Sequence, residues 1–277
     1  MTTFSDRERE QAAHYDEFHA ARAASALVSR LYAQAMGDAY PAEVAPNSSC
    51  DWTLLGTLVG RLQLRPGQVL ADIGCGTGGV GLWLARALNV DLVGIDVSAT
   101  AVRLATERQD DFVPADRARF TVGSLETTGL PDEHVHGLVC VDALFNASDR
   151  VAALTEFHRI LTPGGRAVIT RVVPDGVRHA IGSQARSAGL IVEHIDNRPD
   201  EPALWRRVYR LWSAREADLR RELGNDQTDR MLAEAHRMLP RLDRRHAVVV
   251  TLRRPLSATS SDRPLGSLKT TEREGTG

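Results

Sequence analysis

The chain has almost no lysine, little cysteine and few aromatic side chains among its 277 residues. Lys269 is its only lysine. Its cysteines Cys50, Cys75 and Cys140 are odd in number and lack metal-ligand spacing, which argues against a disulfide scaffold and against a zinc site. We therefore expect reduced thiols and no metal. The formal charge is only -2, and without a clustered basic face no binding to nucleic acid is expected.

Long apolar runs are also missing, so the sequence predicts no membrane association. The amino-terminal stretch Ser5–Glu10 is densely charged, where a secretory signal would need an apolar core. We therefore expect a cytoplasmic protein. With 43% hydrophobic and 25% charged residues, the chain is long enough to bury the core of one large α/β domain.

Strands and helices alternate through most of the chain. A helix is predicted over Asp6–Met36, and a second begins after Asp51. Alternation then runs from Val69 to Ile195, with a turn expected at Thr162–Gly165 and a helix over residues 177–188. Two consecutive helices are predicted within residues 201–239, before a last strand at Ala247–Leu252.

This pattern predicts an α/β fold with a doubly wound, mostly parallel sheet. We expect a single domain over residues 1–254, and residues 255–277 have the composition of a disordered tail. The domain divides into an N-terminal helical region (1–62), a core (69–195), a helical cap (201–239) and the last strand (247–252).

The strongest motif is the run Asp72-Ile73-Gly74-Cys75-Gly76-Thr77-Gly78, which lies where the first core strand meets its helix. Glycines at the carboxyl end of a strand let the backbone approach a ligand closely, and they suit a dinucleotide pyrophosphate as well as other cofactors. Asp72 disfavours the dinucleotide, because a carboxylate there would repel a pyrophosphate and attract an ammonium group. S-adenosylmethionine carries such a group.

Asp96 ends the next predicted strand, about twenty residues after the glycines. A carboxylate at this position can accept hydrogen bonds from both hydroxyls of a ribose. Capping of the following helix is the alternative role, but Ser98 is available as that cap. Asp96 does not discriminate between S-adenosylmethionine and NAD.

On these segments the chain resembles the class I S-adenosylmethionine-dependent methyltransferases, especially the branch similar to ubiquinone and menaquinone biosynthesis enzymes and to actinobacterial natural-product methyltransferases. The resemblance spans roughly residues 10 to 253 and implies a Rossmann-like sheet of seven strands whose last strand is antiparallel. It also implies cofactor contacts at Tyr15, Ser49, Asp72, Gly74, Cys75, Gly76, Asp96, Val97, Ser124, Leu125 and Asp142.

Two positions depart from the family pattern. Relatives commonly have Gly-Asp after the third strand, where this chain has Gly123-Ser124, whose hydroxyl accepts an adenine hydrogen bond more weakly. Relatives often have histidine after the fourth strand, where this chain has Phe145-Asn146. The resemblance further implies that Tyr15 folds over the cofactor, although an aromatic anchor of the core is an equal alternative.

Candidate acceptor residues are more weakly marked. His14 and His19 flank Tyr15 and are, with it, candidate catalytic groups, although exposed helix histidines are more common. Arg171 ends the fifth strand and can pair with an acceptor carboxylate or phosphate, although a solvated arginine is more common. Candidate contacts to the acceptor are Phe145, Arg171, Trp205 and Trp212. The two tryptophans lie on one helical face, which more often packs in a core.

The sequence therefore predicts an enzyme that moves a methyl group from S-adenosylmethionine to a small molecule, largely by positioning. The resemblance further implies a role in bacterial secondary metabolism. The missing histidine favours a nitrogen or carbon acceptor, or an oxygen acceptor whose base lies elsewhere in the chain. The alternatives are an NAD(P)-dependent oxidoreductase and a catalytically silent partner protein. A homo-oligomer is compatible with the sequence and is not required by it.

Overall fold

The computed structural model describes residues 4–174 and 179–256. Its helices are α1 (Asp6–Ala23), α2 (Leu27–Met36), α3 (Trp52–Leu62), α4 (Gly79–Leu88), α5 (Ala99–Glu107), α6 (Arg150–Ile160), α7 (His179–Ser187), α8 (Glu201–Ala214), α9 (Glu216–Leu223) and α10 (Asn225–Met238). Its strands are β1 (Val69–Ile73), β2 (Asp91–Asp96), β3 (Ala118–Val122), β4 (Val135–Cys140), β5 (Leu161–Pro174), β6 (Ile191–Asn197) and β7 (Arg245–Arg253). The predicted tail beyond Leu256 and the first residues of the predicted helix 177–188 lie outside the described residues.

The seven described strands form one sheet in the order β3-β2-β1-β4-β5-β7-β6. All neighbours are parallel except β7, which is antiparallel to both β5 and β6. The predicted doubly wound, mostly parallel sheet with an antiparallel last strand is therefore confirmed. Strand order reverses beside β1, so the carboxyl ends of β1 and β4 flank the crevice where open α/β sheets bind ligands.

Helices cover both faces of this sheet, which explains why its strands are almost continuously apolar. Leu70 of β1 packs with the residues of α3 and α4 in one buried cluster. Its neighbour Ala71 points to the other face and packs with the residues of α6 and α7. Both layers hold β1 rigidly, and the loop that follows β1 is therefore built on a fixed base.

A third buried cluster joins α2 to α8, α9 and α10 and forms a helical cap. Val208 and Trp212 of α8 lie in its centre with Tyr32 of α2. The cap thus buries the apolar faces of helices that would otherwise be exposed.

None of the helices in the described ranges is long and apolar enough to cross a membrane.

Three sequence predictions of local structure are wrong. The predicted helix Asp6–Met36 is broken between α1 and α2, where the Ser25 hydroxyl accepts a hydrogen bond from the Leu27 N–H at 3.0 Å. A serine that bonds the nearby backbone competes with helix continuation. Residues 201–239 form three helices and not two, and Gly224, at φ 83°, separates α9 from α10.

The third difference is the predicted turn Thr162–Gly165, which belongs to the long strand β5. The Gly164 N–H donates to the Arg254 carbonyl and the Arg254 N–H donates to the Gly165 carbonyl. The ladder with β4 skips at this point, passing from the pair Val135 and Leu161 to the pair Gly137 and Arg166. A partner distant in sequence therefore converts a turn sequence into a bulged strand.

We expect Gly94→Ala to destabilise the fold by about 1–3 kcal/mol, because overpacking distorts a filled core. Gly94 is buried in β2, and an added Cβ would overlap the Phe120 ring and lie 3.1 Å from the Cys75 sulfur. Gly56→Ala is the matched control, since nothing lies within 4 Å of its added Cβ on α3. The control should stabilise by about 0.5–1 kcal/mol. Urea unfolding measures both, and equal effects would contradict this packing account.

Candidate active site

The loop after β1 is fixed by hydrogen bonds to the end of β2. The N–H groups of Gly74 and Cys75 both donate to the Ile95 carbonyl, at 2.7 and 3.0 Å. Gly74, Gly76 and Gly78 all have positive φ, at 75°, 52° and 77°. An added Cβ on Gly74 would overlap the Ala143 side chain, so the loop and the segment after β4 are in close contact.

Asp96 lies at the carboxyl end of β2 and is only 8% exposed. Its carboxylate accepts hydrogen bonds from the Gly76 N–H at 2.8 Å and the Ser98 N–H at 2.9 Å. Burial raises the pKa of Asp96 and outweighs the opposing effect of these bonds. Ser98 caps α5 through its hydroxyl, as predicted. The Asp96 carboxylate is therefore tied to the glycine loop.

Asp72 lies beneath the loop and not on its open side. Its carboxylate, 2% exposed, accepts a hydrogen bond from the Gly81 N–H at 3.0 Å, in the first turn of α4. Burial raises the pKa of Asp72 to about 7, with a smaller contribution from Asp96 and an opposing one from the Gly81 N–H. The structure thus gives Asp72 a direct role in holding α4 against β1.

Helix α1 lies across the carboxyl ends of β1 and β2. The Asp16 carboxylate accepts hydrogen bonds from the Ser98 hydroxyl at 2.6 Å and the Thr100 N–H at 2.8 Å. One turn later, His19 is 7% exposed, and its ring lies 3.5 Å from an added Cβ on Gly76. The Tyr15 ring neighbours the His19 ring, with centroids 6.2 Å apart. The helix therefore covers the glycine loop directly.

Ser49 and Asp142 meet in a polar network at the end of β4. The Ser49 hydroxyl and N–H donate to one Asp142 oxygen at 2.6 and 2.7 Å, and the Thr170 hydroxyl donates to the other at 2.9 Å. Arg198 donates to the Ser49 hydroxyl at 2.8 Å and to its carbonyl at 2.5 Å. Every polar group of Ser49 is thus engaged within the protein. Arg198 and Thr170 are site residues that the sequence analysis missed.

Known methyltransferases resemble this chain in sequence. Residues 70–165 match the methyltransferase domain family. The chain is 27% identical over 207 residues to the methyltransferase GfsG of Streptomyces halstedii, covering 72% of each chain. It is 32% identical over 112 residues to phosphoethanolamine N-methyltransferase 3 of Arabidopsis thaliana, which covers 40% of this chain and only 22% of the relative.

Solved structures share the fold. The [4+2]-cyclase SpnF superposes with a TM-score of 0.71 at 19% identity, over 90% of this chain and 97% of that one. A sarcosine dimethylglycine methyltransferase from Galdieria sulphuraria gives a TM-score of 0.66 at 17% identity, over 73% and 84%.

Residues 70–165 of the chain carry the methyltransferase domain, and the fold is that of the class I S-adenosylmethionine-dependent methyltransferases. The residues of this methyltransferase fit the cofactor of the family. The buried Asp96 carboxylate is hydrogen-bonded to the loop, and the glycines of the loop add no side chains of their own beside it. The buried polar atoms that have no hydrogen-bond partner within the described residues include His19 Nδ1, whose ring lies over Gly76. Polar ligand groups can satisfy such atoms.

The remaining predicted cofactor residues of the methyltransferase line the same edge. Ser124, 5% exposed, follows β3, and its hydroxyl accepts the Thr127 N–H at 3.1 Å. Leu125 lies within 3.9 Å of an added Cβ on Gly74, and Cys75 is a buried free thiol. Val97 follows Asp96 and is half-buried. The strand order β3-β2-β1-β4 therefore places these residues side by side along one edge of the sheet.

The predicted acceptor residues of the methyltransferase separate into two groups. Phe145 is 65% exposed and lines a cleft of about 460 Å³ with Arg7, Arg150 and Gln184. Arg171 donates to the Gln184 side chain at 3.2 Å and so lies behind this cleft.

Trp205 and Trp212 lie elsewhere, in the helical cap. Trp212 is 2% exposed and Trp205 stacks on Tyr209, with ring centroids 5.3 Å apart. Both rings pack with Tyr32 of α2. The cap surrounds these tryptophans, whereas Phe145 faces the cleft. Arg7, Arg150 and Gln184 of that cleft carry no motif in the sequence that would have singled them out.

The candidate catalytic groups differ in their environments. Burial lowers the pKa of His19 to about 4, with a contribution from the charge of Arg22. His14 is largely exposed beside Arg230 of α10, and its partial burial together with the charge of that arginine lowers its pKa. Burial raises the pKa of Tyr15. At neutral pH the His19 ring is therefore neutral and the Tyr15 hydroxyl stays protonated.

We expect Asp16→Ala to loosen α1, because it removes two hydrogen bonds to a carboxylate worth about 1–2 kcal/mol together after partial exposure. Amide hydrogen exchange across Asp6–Ala23 should quicken by about 5- to 30-fold. The neighbouring Glu17→Gln is the control, since its pair with Arg230 is exposed. Glu17→Gln should change the exchange rates of the same α1 amides by less than about threefold. Unchanged exchange in Asp16→Ala would show that other contacts dock the helix.

A second prediction concerns the stability of the cofactor-free protein against pH. Because folding raises the pKa of Asp72 to about 7, the stability it contributes is full below its ordinary pKa and is lost as pH rises through about 7. Wild-type stability should therefore fall relative to Asp72→Asn between pH 4 and 8. Urea unfolding across this range measures the difference, and Asp132→Asn, at an exposed carboxylate, is the control. A constant difference would contradict the raised pKa.

Proposed function

We propose that this methyltransferase moves a methyl group from S-adenosylmethionine to a small-molecule acceptor of bacterial secondary metabolism. The observation that carries the proposal is the buried Asp96 carboxylate, held by the Gly76 N–H beneath α1, within the segment 70–165 that matches the methyltransferase domain. Asp96 alone would suit NAD as well, and the domain match decides between the two cofactors. Each Asp96 oxygen retains a lone pair that can accept a hydrogen bond from a ribose hydroxyl. The likeness to the Streptomyces methyltransferase GfsG over 72% of both chains supports the bacterial setting.

The other cofactor contacts follow from the order of the strands. We assign Ser124 and Leu125, which lie beyond β3, to contacts with the adenine. We assign Val97, which follows Asp96, to contacts with the ribose. The backbone of Gly74–Gly76 receives the methionyl part. Cys75, within this loop, shapes it as an uncharged thiol, because burial holds its pKa well above the ordinary range.

Ser49 and Asp142 lie at the far end of the methionyl part and close the site there, beside the carboxyl end of β4. The Asp72 carboxylate already accepts a hydrogen bond from the Gly81 N–H. Asp72 therefore acts on the cofactor at a distance, through its charge and by holding α4 in position. Tyr15 closes over the cofactor as part of α1. Negative charge beneath the loop favours the cationic donor form over its neutral product.

The acceptor binds in the cleft beside Phe145, adjacent to α1. The cofactor supplies an electrophilic methyl group, and the protein aligns a nucleophile with it in a site that α1 shields from water. Phe145 offers an apolar surface for an aromatic or aliphatic group. Arg171 lies behind the cleft and can act on a polar group of the acceptor through its hydrogen bond to Gln184 in the cleft wall. Trp205 and Trp212 pack within the cap, away from this cleft, and we assign them no contact with the acceptor.

No strong general base faces this site among the described residues that the sequence singled out. His19 has a pKa of about 4 and is a weak base at neutral pH. Tyr15 stays protonated, and His14 faces Arg230. An acceptor that needs no base, such as an amine bound in its neutral form or an electron-rich carbon, therefore fits best.

The first experiment is calorimetric titration with S-adenosylmethionine, S-adenosylhomocysteine and NADH. We expect binding of the first two and none of NADH, and Asp96→Ala should weaken the first two by about 1–3 kcal/mol. Thr127→Ala, at an exposed position near the adenine side, is the control. Binding of NADH alone would overturn the proposal in favour of an oxidoreductase.

Binding alone does not establish methyl transfer, because a fold hosts several chemistries and one structural neighbour is a cyclase. Release of S-adenosylhomocysteine should therefore be measured with a panel of amines, phenols and electron-rich aromatic carbons. Turnover with phenols only would contradict the absence of a base. No turnover with any acceptor class would favour the catalytically silent alternative.

A further inference from the structure

Arg108 joins two loops of the candidate site through one guanidinium group. It is the C-cap of α5, and its Nη1 donates to the carbonyl and the hydroxyl of Thr77, at 3.1 and 3.2 Å. Its Nη2 donates to the carbonyls of Glu43 and Val44, both at 3.1 Å. Thr77 belongs to the glycine loop, whereas Glu43 and Val44 belong to the segment 41–46 between α2 and α3. Each branch of the guanidinium therefore binds a different loop.

The two loops also touch each other beside Arg108. An added Cβ on Gly79, the first residue of α4, would overlap the Val44 carbonyl and lie 3.2 Å from Arg108 Nη1. An added Cβ on Gly78 would lie only 2.9 Å from the Cβ of Ala105 in α5. Arg108 follows Ala105 by less than one helical turn. Helix α5 therefore packs against the glycine loop and brings Arg108 to the point where the two loops meet.

Both loops contain backbone conformations that a free chain seldom keeps. Gly76 and Gly78, on either side of the threonine, have positive φ, at 52° and 77°. Ala45 has φ 48°, in the left-handed region that an L side chain disfavours. Such conformations persist where the surrounding contacts hold them. The four hydrogen bonds of Arg108 are contacts of this kind.

The geometry of the Arg108 side chain matters more than its charge. All four of its hydrogen bonds within the described residues go to uncharged oxygens, three of them backbone carbonyls. The Glu43 carboxylate is bound instead by Trp83 Nε1, at 2.8 Å, and by Arg86 of α4. Those two contacts are exposed, whereas Arg108 is half-buried. A planar guanidinium with two branches suits this position, because it donates in two directions from one rigid group.

We propose that Arg108 is a positioning residue for cofactor binding, an inference that rests on the proposed function. It holds the glycine loop and the segment 41–46 together in the free protein, so that the cofactor meets loops that are already ordered. Binding then does not include the cost of ordering them. Without Arg108 only a fraction of the molecules has the ordered loops at any time, and the apparent affinity falls by that fraction.

The first measurement is amide hydrogen exchange of the free protein in wild type, Arg108→Ala and Arg108→Lys. Exchange of residues 41–46 and 74–79 should quicken by about 5- to 30-fold in Arg108→Ala, because local opening becomes easier. Exchange of the central strand β4 should change by less than about threefold. Arg108→Lys should give a smaller increase in the loops, since an ammonium group keeps the charge but lacks the two branches.

The second measurement is calorimetric titration with S-adenosylmethionine and S-adenosylhomocysteine. Arg108→Ala should weaken both ligands by about 3- to 30-fold and to the same extent, because the loops must be ordered for either one. Saturation with S-adenosylhomocysteine should return the exchange of residues 74–79 close to the wild-type rate. Millimolar guanidinium should restore part of the lost affinity of Arg108→Ala, because the free ion can donate to the same oxygens.

Arg103→Ala is the matched control on the same helix, since Arg103 is exposed and pairs with Glu107. It should leave loop exchange and both affinities unchanged, with or without guanidinium. Urea unfolding of every variant measures the stability of the fold as a whole. Arg108→Lys keeps the charge and most of the side-chain length, so the comparison remains decisive if Arg108→Ala does not fold.

Three outcomes would overturn the inference. Quickened loop exchange with unchanged affinity would show that loop order does not limit binding. Exchange that quickens equally in the loops and in β4 would show that Arg108 supports the whole fold. Unchanged loop exchange would show that other contacts hold the loops. If wild type binds neither ligand, the proposed function fails and this inference fails with it, whereas wild-type binding together with any of the three outcomes overturns this inference alone.

Discussion

The attachment of the glycine loop to the end of β2 is the constraint on which the site depends. Two N–H groups of the loop converge on the Ile95 carbonyl, and a third, from Gly76, reaches the Asp96 carboxylate. The backbone therefore passes so close to β2 and to Ala143 that a side chain at Gly74 has no room. Because both strands are buried in the sheet, this one set of bonds fixes the carboxylate, the loop and the surface under α1 together.

Burial of charge gives the site its character. The carboxylates of Asp72 and Asp96 are buried but each has backbone N–H donors, so their cost is partly offset. Arg22 has no such compensation within the described residues. Asp96, the partly ionised Asp72 beneath the loop and the positive charge of Arg22 in α1 form a field that suits a ligand with charges of both signs. S-adenosylmethionine has this distribution of charge.

The same burial limits the chemistry. The sequence presents Tyr15 and two histidines close together, but α1 buries Tyr15 and His19 in an environment that favours their neutral forms. A helix that shields the site from water thereby also removes strong bases from it. Catalysis that depends on alignment in a dry site is consistent with both effects. The cleft that we propose for the acceptor has the exposed Phe145 ring and nearby arginines, and its lining is polar whereas that of the cap is apolar.

The sequence alone determined the fold class, the position of the glycine loop and the cofactor family. These are local or periodic signals: glycines at a strand end, alternating elements and a carboxylate at the end of the next strand. Only tertiary structure decided that Asp72 faces Gly81, that Ser49 is enclosed by Asp142 and Arg198, and that Trp212 lies within the cap. It also decided the bulged strand at Gly164 and the burial of Arg22. Those outcomes depend on partners far away in the chain, and a pattern along one segment does not specify which distant group it will meet.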